Sequence, residues 1–316
     1  MVACSTRSIR PTEPGRDCQS TGPRVIAAPF ACGQQGHKVT RFRFRQHSII
    51  PGFRLTLGFT LLYLSLIVLI PIAGLYLRVF ELDWPGFVAI VTGPRFLAAM
   101  RLSFGASLLA AAFNVVAGVL IAWVLVRYRF PGRRILDAIV DLPFALPTAV
   151  AGIALTAIYA PTGWIGGLFQ PLGIRIAYTP FGIWIALVFI GLPFVVRMVQ
   201  PVLQDFATEL EEASATLGAT RRQTVVRVML PSLLPAILTG FALAFARAVG
   251  EYGSVIFIAG NLPRQTEILP LLIVFRLEEF NYAGAAAIAA VMLTVSFIIL
   301  LAINLLQAWS QKRFGQ

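Results

Sequence analysis

The sequence predicts an all-α integral membrane protein with six transmembrane helices. Of the 316 residues, 58% are hydrophobic and only 13% are charged, whereas about a quarter of the residues in a soluble domain are charged. Six apolar runs are long enough to cross a bilayer, which takes about 20 helical residues. These runs lie near residues 56–77, 103–126, 139–160, 181–200, 233–260 and 285–307. Because the apolar fraction is so high, the net charge of +12 does not indicate a nucleic-acid partner.

Residues 1–48 precede the first apolar run and differ from it in composition. They are rich in Arg, Gly, Pro, Ser and Thr and have no apolar periodicity, which is typical of a disordered segment. We interpret them as a disordered basic tail or a misassigned start, with a transit segment as a further alternative. Residues 49–98 are predicted to hold the first transmembrane helix and an external loop, and residues 99–310 the main transmembrane domain.

The distribution of Lys and Arg predicts which side of the membrane each segment faces. Six spans place both termini on one side, and the excess of basic residues in the segments of that side makes it the cytoplasm. The excess persists, though it is smaller, when residues 1–54 are left out. Segment 205–231, between the fourth and fifth spans, is therefore predicted to be cytoplasmic.

This cytoplasmic segment has the pattern of two helices joined by a turn. Apolar side chains recur three or four residues apart, as on one helix face, at Leu203, Phe206, Leu210, Ala213 and Leu217. Gly218 then suits the left-handed position that ends a helix. Thr220 and Gln223 predict a capping box for a second helix, which we expect to end at Leu230, before a break at Pro231. Because the first helix is acidic, docking into a groove of another protein is favoured over a helix lying on anionic lipid.

The sequence lacks the patterns of a nucleotide-binding site and of a catalytic site. It contains no G-x-x-x-x-G-K-[ST] loop, and neither Lys38 nor Lys312 follows such a glycine pattern. ATP-driven transport would therefore need a second polypeptide. The histidines, His37 and His47, lie in the N-terminal tail, and neither a Ser/His/Asp arrangement nor a metal-ligand cluster is evident. An enzyme is thus disfavoured, and a gradient-driven carrier is the other alternative.

The cytoplasmic segment resembles the EAA signature of type I ABC importer permeases, which reads E-A-A, three residues, G, nine residues, I-x-L-P. The matching positions are Glu212, Ala213, Gly218, Leu230 and Pro231. Ser214 replaces the third Ala and Val228 replaces Ile, each by a residue of similar size. In that family the segment is the coupling helix that docks on the cytoplasmic ATPase. The resemblance implies an ATPase-docking site at Glu211, Glu212, Ala213, Ser214, Leu217 and Gly218.

Three longer stretches, 127–152, 191–203 and 246–261, closely resemble the CysT-type permease subunit of sulfate and thiosulfate ABC importers. The resemblance implies the six-helix type I importer permease fold, placed in the inner membrane and surrounded by lipid. It implies as partners a CysW-like second permease subunit, a CysA-like ATPase dimer and a periplasmic or extracellular sulfate/thiosulfate-binding protein. ATP and Mg would be bound by the ATPase and no cofactor by this chain. A molybdate or tungstate permease is the alternative function.

Charged and proline residues inside the spans mark two further candidate sites. Arg247 and Glu251 are four residues apart, so they can meet on one helix face, and charges at membrane depth usually face a bundle interior or a water-filled cavity. We favour a structural ion pair, with a role in the translocation path as the alternative. Asp141 is predicted at the N-terminus of the third span, with a kink at Pro143 and Pro147. A broken helix that exposes backbone groups to the substrate is the alternative there.

Overall fold

The structure, a computed structural model, describes residues 53–205 and 208–314. Within these ranges, six helical segments are long and apolar enough to cross a membrane, which confirms the predicted fold class. They are Leu55–Val79, Pro94–Arg127, Thr148–Leu172, Pro180–Asp205, Arg221–Val249 and Tyr282–Trp309. The predicted tail, residues 1–48, lies outside the described residues.

The spans are built from α-helices that short turns of π- or 3-10 helix join into longer segments. The α-helices in the described ranges are α1 (Phe53–Leu64), α2 (Ile70–Val79), α3 (Trp84–Val91), α4 (Pro94–Arg127), α5 (Arg133–Ala145), α6 (Thr148–Tyr159), α7 (Trp164–Phe169), α8 (Pro180–Asp205), α9 (Thr208–Thr216), α10 (Arg221–Thr224), α11 (Leu230–Val249), α12 (Val255–Ile258), α13 (Leu269–Glu278) and α14 (Tyr282–Phe314). The π-helical turns are Ser65–Leu69 and Val225–Met229, and the 3-10 turn is Gln170–Leu172.

Helices α4, α8 and α11 form the centre of the bundle. Small residues on their contact faces let the backbones come close, as is usual between membrane helices. A Cβ on Gly118 of α4 would lie 2.8 Å from Val195 Cγ1 of α8, and a Cβ on Gly240 of α11 would lie 3.0 Å from Val195 Cα. The three helices therefore meet around Val195, which is fully buried.

The first span lies at the edge of this bundle. None of its most apolar window is buried within the chain. Its second half is joined to the last span by a hydrogen bond of 2.8 Å between the Tyr76 hydroxyl and Thr294 Oγ1. The first span thus packs on the outside of the body that the other five spans form.

Two of the predicted spans are interrupted within their predicted bounds. The run predicted as one span at 139–160 is divided between α5 and α6, because Leu146 precedes a proline and takes an extended conformation with ψ 133°. The span itself is Thr148–Leu172. The span predicted at 233–260 ends earlier, at Val249, and Gly250 follows as its C-cap. Apolar runs alone did not reveal these breaks, because each predicted run extends across its break.

Candidate docking segment and membrane-embedded charges

The turn between α9 and α10, residues 217–220, is shaped by Gly218. Its φ of +79° is left-handed, a conformation that glycine adopts without steric cost. The Gly218 N–H donates to Ala215 O at 3.0 Å, and the Ala219 N–H donates to Ser214 O, also at 3.0 Å. This pair of hydrogen bonds is the Schellman arrangement that satisfies the last carbonyls of a helix. The predicted left-handed glycine is confirmed.

The start of α10 is fixed by the predicted capping box. The Thr220 N–H donates to Gln223 Oε1 at 2.8 Å, and the Gln223 N–H donates to Thr220 Oγ1 at 3.4 Å, which confirms this prediction. Across the turn, the hydroxyls of Ser214 and Thr224 are 2.8 Å apart and hydrogen-bonded. Ser214 is buried, so the serine that departs from the EAA pattern ties the two helices together.

The side chains around the turn present a mixed polar and apolar surface. Glu212 and Ala213 are exposed, and Leu217 is 88% exposed. The prediction of one apolar stripe from Leu203 onward is wrong, because Leu203 belongs to α8 and is buried in the bundle core. Phe206 lies outside the described residues, as do the side chains of Leu210 and Glu211.

The second helix of the segment continues into the membrane without the predicted break at Pro231. Residues Arg221–Val249 form one helical span, in which a π-helical turn, Val225–Met229, precedes the proline. Proline removes an N–H and clashes with the carbonyl four residues earlier. The wider π-helical turn places that carbonyl differently and so accommodates Pro231. The turn at 217–220 is therefore joined to the fifth span by continuous helix.

Arg247 and Glu251 form an ion pair at the far end of this span. Glu251 lies just past the helix and is 2% exposed. Its Oε1 accepts hydrogen bonds from the Ser254 N–H at 2.9 Å and from Ser254 Oγ at 3.0 Å. The carboxylate is thus satisfied within the chain. The Arg247 side chain is 35% exposed. Of the two residues, Arg247 is therefore the one that a molecule outside the chain could contact.

Asp141 lies well inside α5 and not at the start of the third span, so its predicted position is wrong. Its carboxylate accepts from Arg197 Nε of α8 at 2.7 Å. Arg197 Nη1 also donates to Asp137 Oδ1 at 2.9 Å and to Gln200 Oε1 at 2.7 Å. Because Asp137 and Asp141 are four residues apart, both point from one face of α5 to the same guanidinium.

The two prolines near Asp141 lie at the division between α5 and α6. Pro143 is inside the last turn of α5, and Pro147 is the residue before the first of α6. The chain is therefore broken here, rather than kinked within one helix. The exposure of backbone groups to a substrate stays a prediction.

Two charged contacts between distant parts of the chain were not predicted from the sequence. The first is the contact of Arg197 with α5. The second is a two-point ion pair between Arg95 at the start of α4 and Glu267, with distances of 2.8 and 2.6 Å. The Glu267 side chain is fully buried, whereas that of Arg95 is 38% exposed. The contact of Arg197 with α5 could have been suspected from the sequence. Asp137 and Asp141 are spaced to share one helix face, and Arg197 is an arginine within an apolar helix.

Comparison with protein families identifies the class of this chain. A family model described as "Binding-protein-dependent transport system inner membrane component" matches residues 114–316, more than half of the chain. The chain belongs to this family. It is therefore an inner-membrane component of a transport system, and the ATP-hydrolysing subunit of such a system is a separate polypeptide.

Two relatives illustrate how far the similarity to this binding-protein-dependent family extends. The chain is 47% identical over 268 residues to the sulfate transport system permease protein CysT of Salmonella typhimurium, covering 85% of this chain and 95% of the relative. It is 50% identical over 275 residues to the protein of the same name from Synechocystis, covering 87% and 94%. The similarity thus includes the first span, which lies outside the family match.

Solved structures share the fold of this family member at low sequence identity. A bacterial alginate ABC transporter chain, in complex with a periplasmic protein, aligns with a TM-score of 0.67 at 18% identity and covers 80% of this chain and 92% of its own length. A chain of the MetNI methionine ABC transporter in an inward-facing conformation aligns with a TM-score of 0.54 at 19% identity, covering 72% and 99%. The predicted type I importer permease fold is confirmed.

Proposed function

We propose that this chain is the permease subunit that carries sulfate and thiosulfate across the inner membrane in an ATP-driven importer. The observation that carries the proposal is the 47–50% identity to CysT proteins, which extends over nearly the whole length of both sequences. Molybdate and tungstate are not favoured, because the relatives compared above are named for sulfate. Thiosulfate rests on the resemblance of residues 127–152, 191–203 and 246–261 alone.

Uptake of radiolabelled sulfate tests the substrate. The chain is expressed with its partner subunits in a cell that lacks its own sulfate permease, and uptake is measured with an excess of unlabelled thiosulfate, molybdate or tungstate. We expect sulfate uptake that thiosulfate reduces strongly and molybdate only weakly. Uptake of molybdate without uptake of sulfate would contradict the proposal.

We further propose that residues 208–224, here called the docking segment, bind a CysA-like ATPase dimer in the cytoplasm. Three features support this proposal. The turn is held in one conformation by its own hydrogen bonds, so little entropy is lost when it binds. Leu217 projects from it with 88% exposure. Glu212 adds an exposed carboxylate beside the turn.

The docking segment is coupled to the membrane by the helix that follows it. From Arg221 to Arg247 the rise of about 1.5 Å per residue gives roughly 39 Å of continuous helix. We propose that closure of the ATPase moves the turn, and that this helix carries the motion to the Arg247–Glu251 pair. The other proposed partners are a CysW-like permease subunit and an external binding protein; ATP and Mg belong to the ATPase, and this chain holds no cofactor.

Co-purification tests the assembly. The chain carries an affinity tag and is extracted in a mild detergent together with the candidate second permease, ATPase and binding protein. Recovery of the second permease and the ATPase in stable proportion is the expected result. Because sulfate uptake is measured separately, failure of the assembly proposal is distinguishable from failure of the substrate proposal.

A further inference from the structure

An apolar cleft of about 720 Å³ lies between α4 and the beginning of α8. Its walls include Leu102, Gly105, Leu109, Phe113, Phe181 and Trp184. Trp184 anchors the aromatic side of the cleft: its ring is stacked on Phe181, with centroids 5.5 Å apart, and meets Phe113 edge to face at 5.1 Å. The one charged residue among the residues that line this cleft is Arg101.

Taking the midpoint of α4 as the bilayer centre places the cleft within about one leaflet. Helix α4 has 34 residues, so its midpoint lies between Ala110 and Ala111. At about 1.5 Å per residue, Arg101 lies roughly 14 Å from that midpoint, close to the half-thickness of about 15 Å of a hydrocarbon core. Phe113 lies about 18 Å further along the helix, just past the midpoint. The charge is thus at the membrane surface and the rings are near its middle.

Arg101 has no hydrogen-bond or ion-pair partner among the side chains that the structure describes, whereas two other arginines, Arg95 and Arg78, are paired within the chain. Arg95, less than two turns away, is held by Glu267, and Arg78 is held by Glu81. A guanidinium at the hydrocarbon boundary is costly to leave without a counter-charge, and its long side chain reaches toward the headgroups. An anion from outside the chain is the remaining way to neutralise it.

We propose that this cleft binds an anionic phospholipid, with the headgroup phosphate on Arg101 and one acyl chain lying along the cleft toward Phe113. The occupant must carry one anionic group next to a long apolar part, because the cleft offers one cation at its mouth and apolar walls below it. A sulfate dianion does not fit this description: beyond Arg101 it would meet only carbon surface and lose its hydration. A transmembrane helix of another subunit offers no anion at the required depth unless it carries an acidic residue there.

Quenching of Trp184 fluorescence by brominated lipids tests the proposal directly. The full chain, in the assembly with which it purifies, is reconstituted in vesicles containing either brominated phosphatidylglycerol or brominated phosphatidylcholine at equal content. The Trp184→Phe variant is measured in parallel, and the difference isolates the signal of Trp184. We expect an apparent affinity about fivefold higher for phosphatidylglycerol, the preference that one arginine near an anionic headgroup gives, and a smaller preference at high salt.

Two variants separate the roles of the charge and the groove. Arg101→Gln should abolish the preference for phosphatidylglycerol, whereas Arg264→Gln, which removes a basic residue that does not line the cleft, should keep it. Gly105→Leu should fill the groove and reduce quenching of Trp184 by both lipids. A Cβ at position 105 meets nothing within 4 Å, so this variant is expected to fold. Gly58→Leu, at an equally open helical position, is its control.

Three outcomes would overturn the proposal. Equal quenching by the two lipids in the unaltered chain would remove the role of the headgroup charge. Protection of Trp184 from both lipids would show that a protein helix fills the cleft. Loss of quenching when sulfate replaces chloride at matched ionic strength would make Arg101 a site for the free oxyanion.

Discussion

Replacement of Gly218 by valine tests whether the shape of the docking turn is what a partner recognises. At φ +79° a residue with a side chain is strained by about 1–2 kcal/mol, and a β-branched residue lies at the upper end. No clash adds to this cost, because a Cβ at position 218 meets nothing within 4 Å. If the variant turn relaxes, re-forming it on docking costs up to about 2 kcal/mol, or up to roughly 30-fold in affinity.

Asparagine at the same position distinguishes conformation from the mere presence of a side chain. Asn adopts the left-handed conformation far more readily than Val, so Gly218→Asn should keep most of the affinity that Gly218→Val loses. The assay is binding of the purified ATPase to the permease in detergent, as an affinity and as the amount recovered. Gly74→Val is the control for membrane insertion, since position 74 is also open but helical. Equal affinities for the Asn and Val variants would refute the reasoning.

Three further predictions concern the ion pairs. Arg95→Leu leaves the buried Glu267 carboxylate unpaired and should destabilise the fold by about 2–3 kcal/mol, which is less than for a fully buried pair because Arg95 is 38% exposed. Thermal inactivation should then occur at a lower temperature, and adding Glu267→Leu should restore much of the lost stability. Arg247→Ala and Arg247→Lys should leave assembly intact, so sulfate uptake distinguishes the two roles of Arg247. If Arg247 belongs to the translocation path, both variants lose uptake; if its role is structural, the Lys variant keeps uptake. Arg197→Gln should weaken the packing of α5 on α8 by about 1 kcal/mol. Proteolysis should then become faster at residues 128–147 and not elsewhere.

Features set by neighbouring residues could be predicted from the sequence. Gly218, the Thr220–Gln223 capping box and the existence of six spans all depend on patterns within a few residues or one helix. The contact of Arg95 with Glu267 joins residues 172 positions apart, and that of Arg197 with Asp141 joins residues 56 apart. Such pairs are set by how the helices pack, which a single sequence does not show.

Proline was the least reliable signal, because its effect depends on the helix around it. A break was expected at Pro231, and a π-helical turn before it absorbs the clash instead. A kink was expected at Pro147, and the chain divides into two helices there. In both cases proline lies where the regular backbone hydrogen bonding of the helix changes. The residue alone does not indicate whether the helix widens into a π-helical turn or ends.

The position of the π-helical turn has a consequence for coupling. It lies between the docking segment and the part of the fifth span that packs in the core, where Leu233 is 3% exposed. Beyond it, the helix is held by α4 and α8 around Val195; before it, α10 is tied to α9 by the hydroxyls of Ser214 and Thr224. π-Helical turns are poorer in hydrogen-bond geometry and occur often at functional sites. A displacement of the docking turn would therefore be divided here between bending at residues 225–229 and motion of the whole span. The burial of Met229, 2% exposed at the end of the turn, limits the bending and favours transmission along the helix.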